Sequence, residues 1–365
     1  MRYGVFKRKQ DMHPTFRAVQ PSRTHVPRCA PCPSPADHCS AERAVEQAPG
    51  CTMRRSLLKL AVAGSTGVAG LPGFAAAGGA AVPDSPSLRQ SASTRRDTAR
   101  WREGPLDLAY LDTGESHLPA LVCLHAIGHG SGDFDALADA LQGRHRLIAP
   151  DWPGQGRSGT VPWTPGVRAY AAALQSFVDA LRLPRFALVG NSVGGGAALL
   201  YAAANPRRVR AVVVANPAGL DEGGWLGRLF TRWMSSRFAA AERDPGAFLE
   251  WFARYYEGVL SGPAALAQRE RIVASGLEIA PLLAQAWQGF ADPRNDIRDE
   301  LPTLSLPVLV TWARRDRLVR WSRNRRAVER IPRVQVEFFE AGHTPFLEDP
   351  TRFAASLEAF LATAP

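Results

Sequence analysis

From Thr98 onward the chain alternates short apolar runs with longer stretches of helical period. Leu106–Leu111 reads Leu-Asp-Leu-Ala-Tyr-Leu, the alternation of a strand with one wet face, whereas Ala120–Leu124 is unbroken, the pattern of a strand covered on both. Arg146–Pro150, Phe186–Val189, Val209–Val214, Pro307–Trp312 and Val334–Phe339 add further strand-length runs. Helical stretches, among them Val167–Leu183 and Pro350–Leu361, lie between them. Buried strands spaced by helices predict an α/β fold, a doubly wound and mostly parallel sheet with helices on both faces.

Residues 219–300 break this alternation. Their apolar positions follow helical periods only and are rich in rings, from Trp225, Phe230 and Trp233 to Trp287 and Phe290. An all-helical insertion of this kind predicts a lid over a core built from residues 98–218 and 301–365, with some rings turned toward a pocket beneath. Trp225 and Trp233 are the lid residues expected to line it, joined from the core by Trp152, Leu318 and Phe346.

Charge changes the picture mainly at the front of the chain. The net charge over 365 residues is +10, but residues 1–81 hold 11 basic against 4 acidic side chains, which leaves 33 against 30 after them. So balanced a remainder gives no footprint for nucleic acid or an anionic membrane, and a small-molecule substrate is the expected partner. The oligomeric state is left open.

Met53-Arg54-Arg55-Ser56-Leu57-Leu58-Lys59-Leu60 precedes a weakly apolar stretch and a run of small residues up to Ala81. It resembles a twin-arginine export signal over 53–81, cleaved near Ala77 to Ala81, which implies a periplasmic or extracellular protein with 82–97 as a linker. Gly64, Gly67, Gly70, Pro72 and Gly73 interrupt the stretch too often for a spanning helix, so no stable membrane insertion of the mature chain is expected. On this reading Met53 is the start and 1–52 a non-native or disordered leader. Four of the five cysteines fall in that leader, and Cys123 alone would remain, without a disulfide partner.

The run Phe186–Val189 stops at Gly190-Asn191-Ser192-Val193-Gly194 and passes into the helix-like Ala197–Ala203. A serine at the apex of so tight a strand-to-helix turn is held with its hydroxyl clear of the sheet and a helix N-terminus beneath it. Acyl transfer needs such a nucleophile, a base to deprotonate it, an acid to orient the base, and donors for the developing oxyanion. His343, just after the last run, is the candidate base. Asp316, after the preceding run, is the candidate acid, with Asp221, after the fifth run, as the alternative. The backbone amides of Val193 and Ile127 are the candidate oxyanion donors, and His125 reads as a structural hydrogen-bonder beside them. His117, His129 and His145 read as lone histidines without Asp, Glu or Cys partners at ligand spacing, so no metal is expected, and the set requires no cofactor.

Leu124-His125-Ala126-Ile127-Gly128, the segment Asp151-Trp152-Pro153-Gly154-Gln155-Gly156-Arg157-Ser158-Gly159, the Ser192 turn, Asp316 at its strand end, and Ala341-Gly342-His343 through Pro350 together resemble the α/β-hydrolase superfamily, from about Thr98 to the C-terminus. The chain order Ser, Asp, His is that of this fold. Ala126 departs from the glycine usual in the family, which matters if the backbone there has positive φ. The resemblance implies a serine hydrolase with an acyl-enzyme intermediate, because the dehalogenase and epoxide hydrolase relatives use aspartate at the elbow. A small or medium apolar carboxylic ester is the expected substrate. The elbow also looks like that of hydrolases that cleave a carbon–carbon bond in dienoic diketone acids, and cofactor-free perhydrolase or lactonase chemistry is a further alternative.

Overall fold

A computed structural model describes residues 98–221 and 224–364; the leader, the signal-like segment and the linker to residue 97 lie outside the described residues. Eight strands of the described residues form one sheet: β1 (Thr98–Glu103), β2 (Leu106–Asp112), β3 (Ala120–Leu124), β4 (Arg146–Pro150), β5 (Phe186–Asn191), β6 (Val209–Ala215), β7 (Val308–Ala313) and β8 (Val334–Phe339). Their order is β1-β2-β4-β3-β5-β6-β7-β8, with β1 and β2 joined antiparallel, β2 antiparallel to β4, and every later pairing parallel. Strand β1 is the one the apolar pattern does not announce. It is an edge strand, Thr-Ala-Arg-Trp-Arg-Glu, with no fully buried residue.

The helices are α1 (Asp135–Ala140), α2 (Val167–Ala180), α3 (Val193–Ala204), α4 (Gly224–Ala239), α5 (Pro245–Val259), α6 (Leu266–Ala274), α7 (Gly276–Gly289), α8 (Trp321–Val328), α9 (Pro345–Glu348) and α10 (Pro350–Thr363). Alternate residues of each strand serve opposite faces, so Leu121 and Cys123 of β3 join one core with α1 and α10, while Val122 and Leu124 join the other with α2, α3 and α8. Both faces being covered explains the unbroken apolar runs. Cys123 is fully buried and burial pushes its thiol well up, so it is packing and not a nucleophile.

Between β6 and β7 the described chain is helical, α4 to α7, without a strand. Phe238 sits at the centre of a ring cluster there, with Phe248, Trp251, Phe252, Tyr255 and Trp287 all within 6.5 Å of it, centroid to centroid. Much of the aromatic content of this segment is therefore its own small core.

The sheet also fixes where a site can lie. From β3 the chain crosses to β4 on one side and returns to β5 on the other, so the strand order reverses between β3 and β5. In open α/β sheets the crevice beyond the carboxyl ends of such a pair is where ligands bind. Leu124 and Asn191 end the two strands at that crevice.

Candidate active site

Ser192 stands between the end of β5 and the start of α3 with φ 54° and ψ −118°, a region a non-glycine residue enters at a cost of ~1–3 kcal/mol. A Cβ on Gly190 would lie 2.6 Å from the Gly194 carbonyl oxygen, and one on Gly194 2.4 Å from that of Leu124, so neither flank admits a side chain. Backbone bonds hold the serine in place. Its N–H donates to the Ala215 carbonyl at 2.9 Å, and its carbonyl accepts from Gly196 and Ala218 at 2.9 and 2.8 Å.

Asp316 follows β7 and His343 follows β8, so two adjacent parallel strands deliver them to the same end of the sheet. His343 Nδ1 and Asp316 Oδ2 are 2.6 Å apart, and both side chains are buried. The same oxygen accepts from Asn216 Nδ2 at 2.5 Å, and Oδ1 accepts from the amides of Leu318 and Val319 at 2.7 and 3.0 Å. With four donors around it the carboxylate is a fixed acceptor for Nδ1–H, which leaves Nε2 as the basic nitrogen. Burial pushes the imidazole down, but the charge and hydrogen bond of Asp316, with the charge of Glu348 behind them, outweigh it and hold His343 above its ordinary value. Asp221 borders the same cavity but is not the partner of His343; it forms an exposed ion pair with Arg323 at 3.0 Å.

Three residues that the sequence did not single out position this pair. Asn216, at φ 43° just past β6, accepts from the Ala313 amide through Oδ1 at 2.9 Å, which aims its Nδ2 at Asp316. Asn191 donates to the His343 carbonyl at 3.2 Å and accepts from the Thr344 hydroxyl at 3.2 Å, tying the histidine loop to the serine turn. Glu348 accepts from the amides of Gly342 and His343 through one oxygen, at 2.8 and 3.2 Å. Its other oxygen accepts from the Ser261 amide and hydroxyl and the Gly262 amide, at 3.0, 2.9 and 2.8 Å.

Ser192, His343 and Ile127 border one cavity of about 430 Å³, within the usual range for small-molecule sites. Val193 is the first residue of α3, so its N–H has no partner within the helix. Among the described residues Ala126 is not in the left-handed region; Gly128 is, at φ 81°, with its amide donating to Gln155 Oε1 at 2.7 Å. The departure from glycine at 126 therefore strains nothing. His125 Nδ1 is 2.7 Å from the Ala126 carbonyl and its Nε2 accepts from the Trp152 amide at 2.9 Å, a fully occupied buried ring.

The pocket differs from expectation in four of five residues. Leu318 lines it. Trp152 does not: it is wholly buried, its indole N–H donates to the His125 carbonyl at 2.8 Å, and its ring stacks on Tyr170. Phe346 is likewise buried in the core, stacked on Phe134 and tilted against Phe353. Trp225 and Trp233 turn outward, 64% and 52% exposed. The rings that do line the cavity are Phe230, Tyr255, Tyr256, Trp287 and Phe290. His129, expected to be alone, has Asp133 one turn on, with Nδ1 and Oδ2 2.7 Å apart and both side chains buried, and Gln268 of α6 donates to the other carboxylate oxygen.

The profile of the α/β hydrolase fold family matches residues 119–350, and the protein belongs to that family. The magnesium-chelatase 30 kDa subunit of Rhodobacter capsulatus is 30% identical over 266 residues, 68% of this chain and 89% of that one. Lipase 3 of a Moraxella species is 29% identical over 253 residues, 66% and 76% of the two chains. The solved structure of a bacterial membrane phospholipase A matches with a TM-score of 0.60 at 25% identity, over 73% of this chain and 86% of that one.

Proposed function

We propose that the protein is a serine hydrolase that cleaves a carboxylic ester through an acyl-enzyme intermediate. The 2.6 Å contact between Asp316 and His343, at a cavity that also holds a serine in a strained elbow, carries this reading. In it, His343 Nε2 takes the proton of the Ser192 hydroxyl as Oγ attacks the ester carbonyl carbon. The carbonyl π electrons move to the oxygen, which the amides of Val193 and Ile127 receive; each such donor is worth ~10²–10³ in rate. Collapse breaks the bond to the alcohol, which leaves with the proton from His343. Water then repeats the sequence on the acyl-enzyme, releasing the acid and restoring Ser192. Asp316 stays charged throughout and holds the tautomer.

The ring-lined wall supports an apolar chain on the substrate, and α4 to α7 act as the lid over it. A lipase and a phospholipase among the similar proteins support an ester. A chelatase subunit beside them keeps the fold by itself from deciding the substrate. The test is a panel of p-nitrophenyl esters of rising acyl length beside a lactone and a dienoic diketone acid. Ester turnover should dominate, and Ser192→Ala should lose ~10³-fold or more in kcat while staying folded. An active, folded Ser192→Ala protein would sink the assignment, and turnover of the diketone alone would replace ester chemistry by carbon–carbon cleavage.

A further inference from the structure

Five of the eight exposed large hydrophobic side chains among the described residues lie on one helix, α4: Trp225, Leu226, Leu229, Phe230 and Trp233. At the helical period these positions share an arc of about 140°. The buried Met234 and Phe238 lie on the opposite side, against the rest of the helical segment. A surface helix needs one apolar face to pack and keeps the other polar. Helix α4 has two apolar faces, and among the described residues the second is exposed.

The charge on this helix has one sign. Gly224–Ala239 contains Arg228, Arg232 and Arg237 and no acidic residue, and the exposed Arg228 and Arg232 flank the outer apolar face. The near balance of charge over the chain from 82 onward hides this local excess. Phe230, at one edge of this face, lines the cavity, while Arg228 and Thr231 line it from the helix's other side. Around the cavity five arginines stand against three aspartates.

Tryptophan near both ends of an exposed apolar face, leucine and phenylalanine between, and arginine without acid beside it are the attributes of a helix that lies in the headgroup layer of an anionic bilayer. A two-fold contact with a second copy would bring the arginines of one face against those of the other. We propose that α4 docks flat on an anionic lipid surface and seats the cavity mouth on it. The ester that reaches Ser192 is then one dissolved in the bilayer, with a long acyl chain. The substrate half of this proposal rests on the serine-hydrolase reading; the docking half does not. It is surface binding, since no helix of the described residues is long and apolar enough to cross a membrane.

The experiment is flotation of the full 365-residue chain with vesicles of phosphatidylcholine alone and of equal parts phosphatidylcholine and phosphatidylglycerol. The protein should float with the mixed vesicles, its tryptophan emission shifting to the blue, and added salt should weaken the binding. Trp225→Ser with Leu229→Ser and Trp233→Ser should lower partitioning on the order of tenfold or more, and Arg232→Gln about fivefold on the anionic vesicles. Both variants should keep wild-type melting temperature and kcat/KM on soluble p-nitrophenyl acetate. The segment before residue 98 is common to all three proteins, so a difference among them belongs to α4. Equal flotation of wild type and triple variant, or no flotation with either vesicle, overturns the proposal. So does a wild-type dimer that the triple variant dissolves without any vesicle binding, which would assign the face to a second copy. A chain that docks but hydrolyses no ester removes the serine-hydrolase reading and leaves docking intact, whereas ester hydrolysis without docking removes docking alone.

Discussion

Replacing Asp316 by asparagine perturbs the site at its most connected group. Oδ1 faces two fixed donors, the amides of Leu318 and Val319 at 2.7 and 3.0 Å, so the introduced amide must keep its oxygen there. Its NH2 then faces His343 and Asn216. Asn216 cannot reverse to meet it, because its own oxygen is held by the Ala313 amide at 2.9 Å. His343 is forced to accept at Nδ1 and carry its proton on Nε2, where the serine proton has to go. A wrong tautomer of this kind lowers kcat by ~10³–10⁴, about 4–5.5 kcal/mol of barrier. The two donors left face to face at Asn216 add ~1–3 kcal/mol of instability. Asp221→Asn is the control: it weakens an exposed ion pair with Arg323 at 3.0 Å, worth ~1 kcal/mol or less, and should change kcat by no more than about threefold. Initial rates on a p-nitrophenyl ester, with melting curves of the same preparations, decide the matter. A folded Asp316→Asn protein within tenfold of wild type, or an Asp221→Asn protein that loses more, refutes the reasoning.

The pH dependence follows from the same pair. On the proposed serine-hydrolase reading neutral His343 is the base, so the acid limb of kcat/KM should fall above 6.5, the ordinary value from which the group is raised. Because Glu348 is one cause of the rise, Glu348→Gln should move that limb to lower pH; a limb that stays in place refutes the coupling. The fold favours protonated His343, so the stability this group contributes is full below about 6.5 and is lost as pH rises through the raised value. Export is tested by Arg54→Lys with Arg55→Lys, which keeps the charge and should leave precursor in the cytoplasm, while N-terminal sequencing places the wild-type mature start near Ala77 to Ala81. An exported chain that begins before Met53 counts against it.

Ser192, Asp316 and His343 are legible because each closes an apolar run, and a strand end in a parallel sheet is a predictable place. Asn216 and Glu348 are not, because their partners are far along the chain: Asn216 meets Asp316 100 residues on, and Glu348 reaches back 86 and 87 residues to Gly262 and Ser261. Such contacts exist only once the sheet and the helical segment have assembled. The pair His129 and Asp133 is local, and its four-residue spacing was available to inspection. It lies, however, in Gly-rich sequence, Gly128-His129-Gly130-Ser131-Gly132, that suggests no helical turn. The rings of the helical segment misled for another reason. Helical period identifies an apolar face but not which neighbour covers it, and α4 has one face on Phe238's cluster and another that the described residues leave largely exposed.

The hydrogen-bond partners divide the labour between sheet and helices. Asn216 and Asn191 anchor Asp316 and the histidine loop to the buried ends of β6 and β5, so the placement of Asp316 and His343 is set by the sheet. The cavity wall is set by α4, α5 and α7, through Phe230, Tyr255, Tyr256 and Trp287. Glu348 is where the two meet, one oxygen on the histidine loop and the other on the turn after α5. A shift of that turn is therefore felt at His343 through a single carboxylate. Among the described residues helix α4 makes no such bond to the histidine loop, which leaves it the part of the segment that can answer to a surface without shifting Ser192, Asp316 and His343.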